Sequence, residues 1–213
     1  MSTKVKICGL KTEATLEVAL EGGADYVGLV FFPPSPRYLR PAAAAAIAAK
    51  ARGRTKVVAL LVDPEDTLIA DAVAAAAPDI LQLHGQETPE RVVDIRSRWG
   101  IPVMKAVAVE TAEDARAGMR FSRAADLILF DARAPEASTR PGGNGAPFDW
   151  RLLSGVKGAV PFVLSGGLTP DNVAEAIRIT GADMVDVSSG VERCPGEKDP
   201  ELIRRFLRRA KGA

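Results

Sequence analysis

A chain of 213 residues is long enough for one large domain, 1–213, with a sizeable core. Its 28 basic and 27 acidic residues leave a formal charge of +1, which is no footprint for nucleic acid, so an anionic ligand has to be met locally. The two cysteines, Cys8 and Cys194, form no CxxC, zinc or disulfide spacing, which fits a reducing, cytoplasmic setting, and the short strand pattern after Met1 offers neither a signal peptide nor a membrane span.

Short β-branched runs alternate with alanine-rich helical patterns from one end to the other, the rhythm of parallel strands joined by helical crossovers. Strands are expected at 5–8, 26–32, 56–62, 80–83, 103–107, 127–131, 162–165 and 184–187. Helices are expected at 13–21, 41–51, 64–76, 89–99, 111–121, 149–153, 170–179 and 200–211. Eight strands and eight helices at near-regular spacing predict a single (β/α)8 barrel, an α/β fold whose sites form at the strands' C-terminal ends. Several helices open on a Pro signal, as in Asp63-Pro64-Glu65, Thr88-Pro89-Glu90 and Thr169-Pro170-Asp171. One connection, 132–147, is too long for a plain turn and rich in Gly and Pro, which predicts a mobile lid hinged at Gly142-Gly143-Asn144-Gly145 or a disordered segment.

Most of the reactive groups fall at the strand ends. Alternation along the first strand puts Lys6 and Cys8 on one face and Val5 and Ile7 on the other. Cys8 then reads either as a small buried hydrophobe or as a nucleophile or proton carrier. Arg37, after the stiff Pro33-Pro34-Ser35-Pro36, offers a planar fork that matches a carboxylate, or it is one more solvated arginine. The fourth strand gives Gln82, near its end, and His84, just after it, and His84, the single histidine, suits a substrate contact or a hydrogen-bonded wall residue. Asp131 closes the apolar Leu127-Ile128-Leu129-Phe130; desolvation there favours the neutral acid and suits a general acid, the alternative being a loop cap. Asp186, at the end of the eighth strand, could orient substrate or accept from the Ser188 and Ser189 amides.

Ser165-Gly166-Gly167 and Ser188-Ser189-Gly190, after the last two strands, bring backbone N–H groups close to an anion where barrels often bind phosphate, so a phosphorylated small molecule is expected. HExxH, Cys/His clusters, GxGxxG and GxxxxGK[ST] are absent from the sequence, which points to proton transfer by side chains, with no cofactor and no metal.

Taken together in order, Lys6-Ile7-Cys8-Gly9-Leu10, Ser35-Pro36-Arg37, Gln82-Leu83-His84-Gly85, Asp131 with Gly142-Gly143-Asn144-Gly145, Ser165-Gly166-Gly167, and Asp186-Val187-Ser188-Ser189-Gly190-Val191-Glu192 with Pro195-Gly196 and Lys198-Asp199 resemble the phosphoribosylanthranilate isomerase family of tryptophan biosynthesis. The resemblance spans nearly the whole chain. It implies an Amadori rearrangement with Asp131 as general acid and Cys8 as general base. It also implies Arg37 on the anthranilate carboxylate, Gln82, His84 and Asp186 as further substrate contacts, and Gly143 with the two glycine turns on the phosphate. The implied partner is a phosphorylated small molecule, not nucleic acid or a membrane, met by a monomer or homodimer. One departure is Asn144, where the family usually reads Gly-Gly-Thr-Gly. The related isomerase of histidine biosynthesis, or a dual-substrate variant, is the neighbouring alternative, and a catalytically dead ligand-binding barrel the alternative of another class.

Overall fold

Residues two apart on a strand share a face, and in this chain that parity separates two cores. Outward side chains such as Val5, Ile7, Val27, Leu29, Leu81 and Leu83 pack against the helices, while Tyr26, Val58, Ile80, Met104, Leu129, Val163 and Met184 form a separate cluster inside the strands. The computed structural model describes residues 3–134, 142–143, 148–156, 158 and 161–213. Its strands β1 (Lys4–Cys8), β2 (Tyr26–Val30), β3 (Lys56–Leu61), β4 (Ile80–Leu83), β5 (Val103–Val109), β6 (Leu127–Ala132), β7 (Phe162–Leu164) and β8 (Met184–Val187) are all parallel, and β8 pairs with β1 to close the barrel.

The crossovers are α1 (Glu13–Glu21), α2 (Pro41–Ala51), α3 (Asp66–Ala76), α4 (Pro89–Trp99), α5 (Ala112–Gly118), α6 (Val173–Thr180) and α7 (Pro200–Lys211). Their ends follow local chemistry. In α4 the Thr88 hydroxyl accepts from the Arg91 N–H, Pro89 takes the first turn, and Gly100 closes the helix at φ 63. None of the helices among the described residues is long and apolar enough to cross a membrane.

Three helix expectations need correction. The segment expected as a sixth helix at 149–153 is a 3-10 turn, Trp150–Gly155, opened by Asp149, whose carboxylate accepts from Arg151 N–H. Asp63 does not start α3: it sits at φ 43, its carboxylate accepts from Gln86 N–H at 2.6 Å, and the helix begins at Asp66. Likewise Thr169 does not start α6, because Asn172 Oδ1 accepts from Thr169 N–H at 2.7 Å and holds 169–172 as a turn ahead of Val173. Sequence reading also missed a small antiparallel pair after β8, β9 (Glu192–Cys194) with β10 (Glu197–Lys198), turning through Gly196 at φ 82. Of the expected lid hinge, Gly142 and Gly143 are described, and Asn144 and Gly145 lie outside the described residues.

Candidate active site

Continuing the inner face of each strand upward from the apolar cluster replaces hydrocarbon with chemistry. Leu129 leads to Asp131, Val163 to Ser165, Met184 to Asp186 and Ile80 to Gln82, while on β1 the inner positions are Lys6 and Cys8. Cys8, Arg37, His84, Asp131, Gly143, Ser165, Gly166, Gly167, Asp186, Ser188 and Ser189 line one cleft of about 780 Å³, its open mouth included. The strand-end residues singled out in the sequence therefore converge, with two exceptions, since the lining includes neither Gln82, fully buried next to His84, nor Gly190, packed against Leu168.

On the β1 side the groups are charged and paired. Lys6 is fully buried, and its ammonium donates to Asp186 Oδ1 at 2.9 Å. An ammonium alone in that position would cost several kcal/mol, so the partner is part of the fold. Burial by itself would lower the Lys6 pKa, but the charges of Asp186 and Cys8 outweigh it and raise it above the usual lysine range. Burial pushes the Cys8 thiol up as well; the neighbouring Lys6 opposes this and Asp186 adds to it. Both side chains pack over Gly28, where an added Cβ would come within 2.8 Å of Cys8 Sγ and 3.1 Å of Lys6 Nζ. Asp186 also faces the Ser165 hydroxyl at 3.4 Å, and the Ser188 hydroxyl donates to the Cys8 carbonyl at 3.1 Å. Asp186 is therefore bound to Lys6 rather than to the Ser188 and Ser189 amides considered from the sequence.

Arg37 is not a solvated arginine: only 5% of it is exposed. Its stem passes Gly9, where a Cβ would meet Cδ at 2.7 Å, and Gly143, where one would meet Nη1 at 2.5 Å. The fork expected to take a ligand carboxylate is already filled, since Nε and Nη2 donate to the two carboxylate oxygens of Glu192 at 2.8 Å each. Nη2 also donates to the Gly143 carbonyl at 3.2 Å; among the described residues Nη1 has no partner. Glu192 is shared with Lys198, whose ammonium donates to it at 2.7 Å and to the Ser188 carbonyl at 2.8 Å. Burial would raise the Glu192 pKa, yet the Arg37 hydrogen bonds and the Lys198 charge hold it at about 2. Burial lowers Lys198 to about 8, with Glu192 opposing. Sequence reasoning placed both residues in the family-like motifs but gave neither a role, because the burial that makes them partners comes from the β9–β10 turn folding back over Arg37.

Across the ring, three strands from β1, Asp131 is held by a backbone amide and an imidazole. Its Oδ1 accepts from the Ala132 N–H at 2.9 Å and its Oδ2 lies 3.1 Å from His84 Nε2. His84 Nδ1 is in turn 3.0 Å from the Gln82 amide nitrogen. His84 is thus tied at both ring nitrogens.

The two turns expected to hold phosphate close the third side. Gly166 (φ 85) and Gly167 (φ 63) follow Ser165, and a Cβ on Gly166 would stand 2.5 Å from the Ala132 nitrogen. Among the described residues no hydrogen bond takes the N–H groups of Gly166, Gly167 or Ser189, which leaves donors for an anion. Gly190 serves packing: a Cβ there would fall 1.8 Å from the Leu168 carbonyl oxygen, so the glycine lets the β8 turn lie against the β7 turn.

A closed parallel barrel whose C-terminal rim gathers a thiol, a carboxyl, a buried guanidinium and two glycine turns with free N–H donors defines a barrel enzyme of the acid/base class. The sequence model of one such family, described as N-(5'phosphoribosyl)anthranilate (PRA) isomerase, matches residues 5–209, and the chain belongs to that family. An N-(5'-phosphoribosyl)anthranilate isomerase from Rhodopseudomonas palustris (strain HaA2) is 58% identical over 208 residues, 98% of this chain and 95% of that protein. The crystal structure of phosphoribosyl anthranilate isomerase from Thermotoga maritima superposes with a TM-score of 0.89 at 38% identity, covering 99% of this chain and 100% of that one. A phosphoribosyl anthranilate isomerase in complex with reduced 1-(o-carboxyphenylamino)-1-deoxyribulose 5-phosphate superposes with a TM-score of 0.86 at 35% identity, again over 99% and 100% of the two chains.

Proposed function

We propose that this enzyme isomerises N-(5'-phosphoribosyl)anthranilate to 1-(2-carboxyphenylamino)-1-deoxyribulose 5-phosphate in tryptophan biosynthesis, in the cytoplasm. The observation that carries this reading is the placement of Cys8 and Asp131 in one cleft with the turns at Ser165–Gly167 and Ser188–Ser189. A ligand with a phosphate at one end and a sugar between the two groups fits that arrangement.

In this reading the phosphate accepts from the free N–H groups of Gly166, Gly167 and Ser189, and Ser165, Ser188 and Gly143 border it. Asp131 gives its proton to the furanose ring oxygen. The C1'–O bond breaks as the anilino nitrogen lone pair forms a C1'=N bond, an iminium. Cys8 then takes the C2' proton, the C–H electrons form C1'=C2', and the nitrogen recovers its lone pair as an enolamine, which tautomerises to the ketone. Because burial keeps the Cys8 thiol up in the free protein, it acts as thiolate only after giving its own proton to solvent at the open cleft, a loss that the positive charge of the iminium favours. Arg37 meets the anthranilate carboxylate through Nη1, with Glu192 fixing the guanidinium from behind. Asp186, on the cleft wall with Lys6 buried behind it, faces the ligand directly, and Gln82 acts through His84.

The test is the loss of phosphoribosylanthranilate fluorescence, followed in wild type, Cys8→Ala and Asp131→Asn. Each substitution should cut turnover about 10²-fold or more, the scale of general acid or base catalysis. Near wild-type turnover in either variant removes that residue from the mechanism, and turnover only of the histidine-pathway precursor rejects the substrate.

A further inference from the structure

Gln82 is fully buried, yet the two ends of its carboxamide fare differently. Its nitrogen meets His84 Nδ1 at 3.0 Å, while its oxygen is buried and has no hydrogen-bond partner among the described residues. An amide nitrogen only donates, so His84 Nδ1 must present a lone pair to it. The one proton of a neutral imidazole then sits on Nε2, and Nε2–H points at Asp131 Oδ2, 3.1 Å away.

The opposite arrangement has a definite cost. Turning the amide by 180° would let its oxygen accept from a proton on Nδ1, but the Nε2 lone pair would then face the Asp131 carboxylate. Two amide hydrogens would also be buried at the place where the oxygen now finds no partner. The chain leaves a buried carbonyl unpaired and in return keeps a donor on Asp131. The backbone at Gly142 presses on that same hydrogen bond, since a Cβ there would stand 2.5 Å from Asp131 Oδ2 and 2.6 Å from His84 Nε2. Water is kept from one side of it, and a hydrogen bond in such a setting acts more strongly on a developing charge than one in bulk solvent.

We propose that Gln82 is a positioning residue for the acid step: it locks His84 in the Nε2–H tautomer, so that the imidazole donates to Asp131 and stabilises the carboxylate formed when Asp131 gives its proton to the substrate. The proposal rests on reading Asp131 as the general acid. The bookkeeping is simple. One proton passes from the Asp131 carboxyl to the ring oxygen, the new carboxylate is held at Oδ1 by Ala132 N–H and at Oδ2 by His84 Nε2–H, and no proton crosses the imidazole. In this role His84 acts on Asp131, beside the substrate contact expected from the sequence, since it also lines the cleft.

His84 is the only histidine, so protein labelled with 15N-histidine gives one imidazole and an unambiguous tautomer. Wild type should show an unprotonated Nδ1 and a protonated Nε2. Gln82→Glu, whose carboxylate can only accept, should move the proton to Nδ1 or charge the ring, and kcat should fall about tenfold or more, part of the 10²–10⁴-fold that an acid contributes. KM should stay within about threefold, because the lost interaction belongs to the transition state. Gln82→Met, which fills the space with no hydrogen bond, should give a mixture of tautomers and a smaller loss of kcat. A wild-type spectrum with the proton on Nδ1 overturns the proposal without need of any variant. So does a Gln82→Glu protein that loses the Nε2–H tautomer at unchanged kcat. Wild-type protein with the Nε2–H signature but no turnover would overturn the isomerase reading, and the catalytic part of the proposal with it, while the tautomer lock itself would stand.

Discussion

The two sides of the cleft hold their reactive groups by different physics. Around Cys8 everything is charged and paired: Lys6 with Asp186 at 2.9 Å, Arg37 with Glu192 at 2.8 Å, and Lys198 with Glu192 at 2.7 Å, all buried. Around Asp131 the partners are neutral, an amide N–H and an imidazole set by a carboxamide. The thiol therefore sits where burial works against the charge of Lys6, and the carboxyl where the direction of its hydrogen bonds decides its contacts. Buried charge is stable only while both partners remain, whereas a neutral chain loses one donor at a time. The base side should fail abruptly and the acid side by degrees.

The sharpest way to break this contrast is Lys6→Met. It strands Asp186 as an unpaired buried carboxylate and removes the cation that opposes the upward push of burial on the Cys8 thiol. We expect a stability loss of about 3–5 kcal/mol by thermal or urea unfolding, and turnover reduced about 10²-fold, comparable to losing the base itself. The double substitution Lys6→Met with Asp186→Leu should recover most of the stability and none of the turnover. Full activity in either protein would mean that the charges around Cys8 are only architecture.

Next in size is Glu192→Gln. Glu192 is held at about 2, so its contribution is present above the ordinary carboxylate range near 4.5 and is lost as pH falls toward 2. Wild type should thus lose on the order of 2–3 kcal/mol across that window. Glu192→Gln should be less stable at neutral pH and lack that acid limb in calorimetry. A guanidinium freed from its clamp binds a carboxylate in more orientations, so KM should rise about tenfold with kcat less affected. An unchanged KM would show that Arg37 needs no clamp.

The same contrast marks how far the sequence could be read. Periodicity was enough for all eight strands and for most helices, because alternate burial on a strand and helix propensity are local properties. The strand-end rule was enough to bring Cys8, Asp131, Arg37 and the two glycine turns to one face. What stayed hidden are the pairings. Lys6 and Asp186 are 180 positions apart and Arg37 and Glu192 are 155 apart, and only barrel closure brings them together. Arg37 was legible as a carboxylate ligand, but not that the carboxylate already on it is the chain's own. The 149–153 segment failed for a local reason, since Asp149 caps a 3-10 turn of six residues, too short to show a helical period.

The smallest effect tests the charged side at alkaline pH, where two of its groups pull in opposite directions. Lys198 is lowered to about 8 in the fold, against 10.5 ordinarily. Between those values the unfolded chain binds the extra proton, so this lysine makes stability rise with pH. Cys8 is raised above its ordinary 9.0, so just above that value the folded chain holds the extra proton and stability falls with pH. Each slope is at most ~1.4 kcal/mol per pH unit, and where the windows overlap they largely cancel. Wild type should therefore have a nearly flat melting temperature between about pH 9 and 10.5, where the two windows overlap. Cys8→Ala should gain stability relative to wild type as pH rises through this range, and Lys198→Met should lose it. Parallel curves for all three proteins would mean that neither group is perturbed by its surroundings, and the electrostatic account of the base side would have to be given up.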